Sequence, residues 1–408
     1  MLIIRRMKMA VLLPAVLACC MLHSLTLRAQ EQFIAPSAKL LTSFPFKMLT
    51  GGIIIVTATL DDHADSLNFV LDTGSGGISL DSATVDYLKL KRTPSARTIR
   101  GIAGVRTVEF TYNHSLHLPG LTSDSLDFHI NDYDLLSSVY GIRIDGIMGY
   151  SFLRRYIVAV DYDKMMLNIF TPGSYNYPRN GYFLHPIFSN LPMQRLDVKD
   201  AKTVSSRYYL DTGAGLCMLF SQNFMDDSAW LNKKRKLYPT QAEGLGGKKN
   251  MSLTVIKEVK LGPYRFKKVP VYVFDDEYNV TSYPVLAGLI GNDIMRRFNV
   301  VLNYPDQLIY IKPNTHYNDV FDYSYTGLGM YVIDGSVHVI DIITGSPADK
   351  AGFQKNDIIV GVGNNLSNDI QAYKNLLQIT NTRVTVVVLR QGKLVQLRMN
   401  IKSILRGR

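Results

Sequence analysis

Apolar and polar positions change rhythm along the chain. Residues 9–22 form an apolar stretch broken only by Pro14, just after Arg5, Arg6 and Lys8. From about residue 40 to 312 the apolar residues come in short runs, such as 53–59 and 67–71. These runs are β-branched or aromatic and are bounded by Gly, Asp and Asn, which predicts strands. Beyond residue 321, runs 337–343 and 358–362 again predict strands. There a helix over 369–378 would put Ile370, Tyr373 and Leu377 on one stripe, and a hairpin would turn at Gln391-Gly392. The pattern is mainly β.

The middle of the chain repeats itself. Residues 145–169 align without a gap to 287–311, with seven of 25 positions identical. Upstream, Phe69-Val70-Leu71-Asp72-Thr73-Gly74-Ser75 matches Tyr208-Tyr209-Leu210-Asp211-Thr212-Gly213-Ala214. Between those blocks, Gly101–Gly104 matches Gly244–Gly247. Three motifs in the same order at nearly the same spacing describe a duplicated lobe. After Ile147-Met148-Gly149 and after Leu289-Ile290-Gly291 a short helix is expected, with Ser151 or Asn292-Asp293 as N-caps. Strands then follow at 157–160 and 300–302. Segments 172–181 and 313–322 read as linkers. The expected organisation is a leader at 1–29, lobe 1 at 30–175, lobe 2 at 176–315 and a third module at 321–403.

A length of 408 residues suits two or three domains, and 47% hydrophobic with 19% charged residues is globular composition. The net charge of +11 falls to +7 once the leader is set aside, and +4 of that lies in residues 321–408. So diffuse a charge speaks for solubility and against a nucleic-acid stripe. The leader has a basic start, an apolar centre and Ala29 before Gln30, so it reads as a secretion signal. The expected location is the periplasm or cell envelope, with envelope association open. An alternative reading takes Val16-Leu17-Ala18-Cys19 as a lipobox and anchors the protein by lipid at Cys19. Cleavage after Ala29 would leave Cys217 as the sole cysteine, so the fold would stand on its core.

One Asp-Thr-Gly is weak evidence, but two in matching places of duplicated lobes would face each other across a pseudo-twofold axis. Asp72 and Asp211, a few ångströms apart, could not both ionise easily and would share a proton. One then acts as base toward a water while the other protonates a carbonyl oxygen. Gly74 and Gly213 allow sharp turns, and Thr73 and Thr212 can reach across to the opposing loop. Ser75 can donate a hydrogen bond to the ionised Asp72, whereas Ala214 cannot, so activity is expected to extend toward weakly acidic pH. No metal and no cofactor are expected. His114 and His117 read as solvated strand residues and Lys233–Lys236 as a solvated loop. Cys217 reads as a small core side chain.

From about residue 40 to 312 the chain resembles the retropepsin-like and pepsin-like aspartic proteases, with both lobes in one polypeptide. The resemblance implies six-stranded lobes, a cleft between them and a hydrophobic-hydrophobic-Gly strand crossing behind each Asp loop. It also implies flap turns at Gly101, Gly104, Gly244 and Gly247. Residues 321–403, with the run Gly345-Ser346-Pro347-Ala348 and a Ser346/Asp349 capping box, resemble a PDZ domain of bacterial envelope proteases. That resemblance implies that the amides of Leu328, Gly329 and Met330 take a peptide C-terminal carboxylate. The expected fold is therefore a two-lobed acid-protease β fold with duplicated lobes and a C-terminal PDZ domain. The expected function is an exported aspartic endopeptidase acting on polypeptide substrates, with a C-terminal peptide as PDZ ligand and no nucleic acid. The rival reading is a non-catalytic peptide-binding scaffold that kept both folds.

Overall fold

Short apolar strands separated by Gly- and Asn-rich turns cannot bury their faces alone, and here they do so in curled sheets. The computed structural model describes residues 35–244 and 246–406; cleavage after Ala29 and the Cys19 lipobox lie outside the described residues. Lobe 1 is a seven-stranded sheet in the spatial order Lys47–Met48, Ile54–Leu60, Leu67–Leu71, Gly146–Met148, Ile78–Asp81, Leu121–Asn131, Glu109–Leu118. Lobe 2 is eight-stranded, in the order Ile187–Ser189, Leu191–Lys199, Thr203–Asp211, Gly288–Gly291, Met218–Ser221, Tyr264–Phe274, Gly247–Leu261, Tyr238–Gly244. Each sheet closes on itself, through Thr59↔His117 in lobe 1 and Asp197↔Lys260 in lobe 2. Six strands per lobe were expected. The extra ones are a short leading strand in each lobe and, in lobe 2, the flap strand Tyr238–Gly244 that runs into the sheet.

The duplication extends to strand direction. Gly146–Met148 runs parallel to Leu67–Leu71 and antiparallel to Ile78–Asp81. Gly288–Gly291 makes the same two pairings with Thr203–Asp211 and Met218–Ser221. A third, six-stranded sheet joins the lobes. Strand Ile157–Asp161 of lobe 1 pairs with Phe298–Asn303 of lobe 2, in a register that sets Val160 opposite Val300. One continuous core of Phe, Leu, Ile and Val side chains lies beneath both lobes.

Local details depart from the expected ones for identifiable reasons. The helices Tyr150–Leu153 and Asn292–Met295 start from Gly149 and Gly291, without a side-chain cap. Asn292 is instead buried inside its helix, accepting from the Tyr162 hydroxyl (2.8 Å) and donating to the Gly52 carbonyl. His114 is buried between Asp61 (2.6 Å) and Thr111 (2.5 Å) rather than solvated. In the basic run, Arg235 pairs with the buried Asp200 at 2.6 Å. The segment after Pro313 is packed, because Arg297 stacks on Phe321 at 3.9 Å and donates to the Asp319 carbonyl.

The C-terminal module has its own core, from Met330 to Ile401, under a five-stranded sheet that opens on the edge strand Leu328–Ile333. Ser346 caps the helix Pro347–Ala351, and Gly352 ends it at φ +84°. The reciprocal arm of the capping box reaches Gly345, whose amide donates to Asp349 at 2.7 Å. Phe321, Tyr323, Tyr325 and Ile404 pack in the core of the lobes, so both ends of the module return to them.

The threaded strands tolerate no added bulk. A Cβ on Gly146 would lie 2.5 Å from the Phe69 ring. Gly146→Ala is expected to cost about 3 kcal/mol, measured as a lower urea midpoint.

Candidate active site

Each acidic loop leaves the end of a central strand, Asp72 just after Leu67–Leu71 and Asp211 as the last residue of Thr203–Asp211. The threaded strand then holds it from behind. The Asp72 amide donates to Met148 (3.0 Å), and the Gly291 amide donates to Cys217 (2.9 Å). The helix that follows closes the loop in the same way in both lobes: the Tyr150 amide donates to Ser75 (3.0 Å), and the Asn292 amide donates to Ala214 (2.8 Å). Gly149 and Gly291 are needed there, since a Cβ on Gly149 would stand 2.5 Å from the Ser75 carbonyl. Cys217 is buried, its thiol donating to Asp293 at 3.0 Å.

Four crossed hydrogen bonds tie the loops together. The Thr73 hydroxyl donates to the Leu210 carbonyl (2.7 Å) and accepts from the Thr212 amide (3.0 Å). The Thr212 hydroxyl donates to the Leu71 carbonyl (2.9 Å) and accepts from the Thr73 amide (3.0 Å). Both threonines are fully buried. This lock brings the half-buried Asp72 and Asp211 carboxyls within hydrogen-bond reach of each other. A Cβ on Gly74 would stand 2.5 Å from the Asp211 carboxyl carbon, and one on Gly213 would collide with Asp72.

Burial raises the pKa of both carboxyls, but not equally. Asp72 accepts from the amides of Gly74 (2.6 Å), Gly213 and Ser75, which offset part of its desolvation. Asp211 accepts from the amides of Gly213 (2.9 Å) and Ala214, and the neighbouring Asp72 charge pushes it well above the ordinary carboxylate range. Two carboxyls so close and so desolvated titrate as a pair that retains one proton more readily than either would alone. Among the described residues no hydrogen bond joins the Ser75 hydroxyl to Asp72; both loops use the backbone amide at that position.

The four candidate flap glycines sit at hairpin tips, with Gly101 opposite Gly104 and Gly244 opposite Gly247. The tips meet, since a Cβ on Gly246 would lie 2.6 Å from the Gly104 amide nitrogen. Ile102 crosses to lobe 2 and packs with Leu219, Met251 and Leu289. On the lobe 2 side of the dyad opens a cavity of about 370 Å³ lined by Arg100, Tyr209, Asp211, Thr281, Ser282 and Leu289, among others. Its wall is stiffened by Tyr209 and Ser282 (3.0 Å) and by Arg100 donating to the Asn279 carbonyl (3.1 Å). Sequence reasoning missed this wall. Tyr209, two residues before Asp211 on the same strand face, was the one lining residue that alternation could have found. Leu328, Gly329 and Met330 lie in the C-terminal module, at the start of its edge strand. The Leu328 amide donates to the Thr326 hydroxyl at 3.3 Å.

A family model described as aspartyl protease matches residues 56–152 and 195–294, each segment holding one acidic loop and its threaded strand. One described as PDZ domain matches 338–390. Among curated proteins, the chain is 31% identical over 67 residues to a probable periplasmic serine endoprotease DegP-like of Chlamydia pneumoniae. It is 32% identical over 68 residues to the protein of the same name from Chlamydia trachomatis. Both matches fall in the PDZ region and cover 16% of this chain and 14% of the relative.

The raised carboxyls make stability depend on pH. The folded state holds their protons more tightly than the unfolded chain, so stability is fully present below the ordinary carboxylate range. It falls as pH rises through the dyad's own titration. Asp211→Asn is therefore expected to have a higher urea midpoint than wild type at neutral pH, with the gap closing below about pH 4.

Proposed function

Because the chain carries an aspartyl protease domain followed by a PDZ domain, we propose that it is an exported aspartic endopeptidase cleaving polypeptides with the Asp72–Asp211 dyad. The crossed bonds of Thr73 and Thr212 carry this reading, since they hold two desolvated carboxyls against each other beneath a pair of touching flaps. A water between the carboxyls loses its proton to Asp72 as it attacks the scissile carbonyl carbon, and Asp211 gives its proton to the carbonyl oxygen. The resulting diol collapses as the amide nitrogen takes a proton from the dyad and leaves, returning one proton to the pair. No charge beyond the resting single negative one accumulates in the cleft.

The flaps exclude bulk water, which strengthens these proton transfers. The cavity around Arg100, Tyr209 and Leu289 offers a mixed polar and apolar seat for one substrate side chain beside Asp211. Two flaps liken the cleft to a fused retropepsin dimer. The leader supports export to the periplasm or envelope, as does the similarity of the PDZ region to two proteins named as periplasmic. No helix of the described residues is long and apolar enough to cross a membrane. The edge strand beginning at Leu328-Gly329-Met330 offers a polypeptide C-terminus a place to add as a strand.

Incubating the mature protein with a diverse peptide pool across pH tests the reading. Wild type is expected to cleave. Asp72→Asn and Asp211→Asn, each still folded by thermal melt, are expected to lose at least about a hundredfold in kcat/KM. Cleavage undiminished in a folded Asp72→Asn protein would refute the dyad, and no cleavage by wild type at any pH would favour a binding scaffold.

A further inference from the structure

In the PDZ module a ligand strand would lie between the edge strand Leu328–Ile333 and the helix Ile370–Leu377. That groove is not open. The helix Asp134–Tyr140 of lobe 1 lies against the edge strand. It ends at Gly141, in the left-handed conformation at φ +72°, between Val332 on one wall and Ile370 on the other. Polar contacts seat the segment. Lys374 donates to the Val139 carbonyl at 2.6 Å, and the Gln371 side-chain amide donates to the Tyr140 carbonyl at 2.9 Å. The Gln371 carbonyl accepts from the Thr50 amide (2.8 Å) and hydroxyl (2.7 Å).

The same face of the module grips the second flap. Tyr331 donates to Glu243 at 2.9 Å. Lys248, across the hairpin, pairs with Asp341 at 2.5 Å and sits 4.5 Å from the centre of the Tyr331 ring. Helix Asp134–Tyr140 also touches the flap strand Tyr238–Gly244. The groove, lobe 1 and the flap stem are thus one contact.

We propose that Val139–Gly141 acts as a built-in occupant of the PDZ groove, a latch that an incoming polypeptide C-terminus must displace, freeing the second flap as it binds. The walls favour that occupant. Val332 and Ile370 are apolar, and the half-buried Lys374 ammonium, its pKa pushed down to about 8 by burial, has a neutral carbonyl where a terminal carboxylate would pair better. A latched groove binds with its intrinsic affinity reduced by the fraction of time it stands open.

The inference rests on the reading that the module takes C-termini. It is tested without turnover, in the Asp72→Asn protein, using a labelled peptide with an apolar C-terminal residue and a free carboxylate. Gly141→Ala drives a methyl into Ile370 from outside the module, and Gln371→Ala removes three of the seating bonds; a thermal melt checks each fold. Each is expected to bind the peptide about tenfold more tightly than the latched protein. Saturating peptide is expected to speed amide hydrogen exchange at 134–141 and 238–244 in the latched protein. Equal affinity in all three folded proteins, or binding that leaves 134–141 protected, would overturn the latch. Failure of every version to bind would overturn the underlying ligand reading itself, whatever the peptide-pool result for the dyad.

Discussion

Everything in the two lobes is arranged around four buried hydrogen bonds between Thr73 and Thr212 and the backbones that face them. Each contributes only about 1 kcal/mol net, but breaking one leaves a buried donor or acceptor without its partner. The lock therefore tolerates little slack, and it sets the separation of two carboxyls that would otherwise drift apart on electrostatic grounds. The threaded strands, the helices that close each loop and the shared sheet that sets Val160 opposite Val300 bring the threonines into register. Gly74 and Gly213 matter for the same reason, because side chains there would occupy the space that the opposite carboxyl needs.

Forcing two carboxyls together destabilises the fold at neutral pH, and the loops limit that cost instead of abolishing it. Burial raises both carboxyls; backbone amides offset part of that for Asp72, while the charge of Asp72 adds to it for Asp211. A symmetric fold thus yields an asymmetric pair. The asymmetry extends outward, for lobe 2 carries the longer flap hairpin, merged into its sheet, and the larger share of the cavity wall. Lobe 1 instead spends its corresponding surface on the helix Asp134–Tyr140, which faces the C-terminal module.

What the sequence discloses is what duplication repeats. Asp72, Asp211, the flanking threonines and glycines, both flap turns and the threaded strands stood out because each occurs twice at one spacing, and the C-terminal module stood out through its capping motif. What it hides depends on contacts between distant segments. The Ser75 hydroxyl read as a carboxylate donor, yet the loop geometry gives that part to its amide. His114 read as solvated because Asp61, the partner that meets it where it is buried, lies 53 residues away. The cavity wall at 279–282 comes from a loop with no motif, ordered by Asp276 accepting from the Val280 and Thr281 amides at 2.7 and 2.8 Å. The filled groove was invisible for a similar reason, since its occupant is a pair of backbone carbonyls and a glycine.

The closeness of the module to the chemistry follows from a single turn. Thr50 bonds to Gln371 of the PDZ helix, while Gly51 beside it stands against Gly215 of the second acidic loop and Gly52 accepts from Asn292 of the helix behind that loop. Tyr140 completes the path from the other direction. Its phenol, pushed upward mainly by burial, also feels Glu243 of the flap stem and both dyad carboxyls. A ligand can shift such an assembly only by as much as it prefers one state over the other. The contacts at stake, a few hydrogen bonds and one half-buried ammonium, correspond to a few kcal/mol at most. That range suits an adjustable bias on flap closure and is too small to disrupt the threonine lock, so the cleft can respond to the groove while its dyad stays assembled.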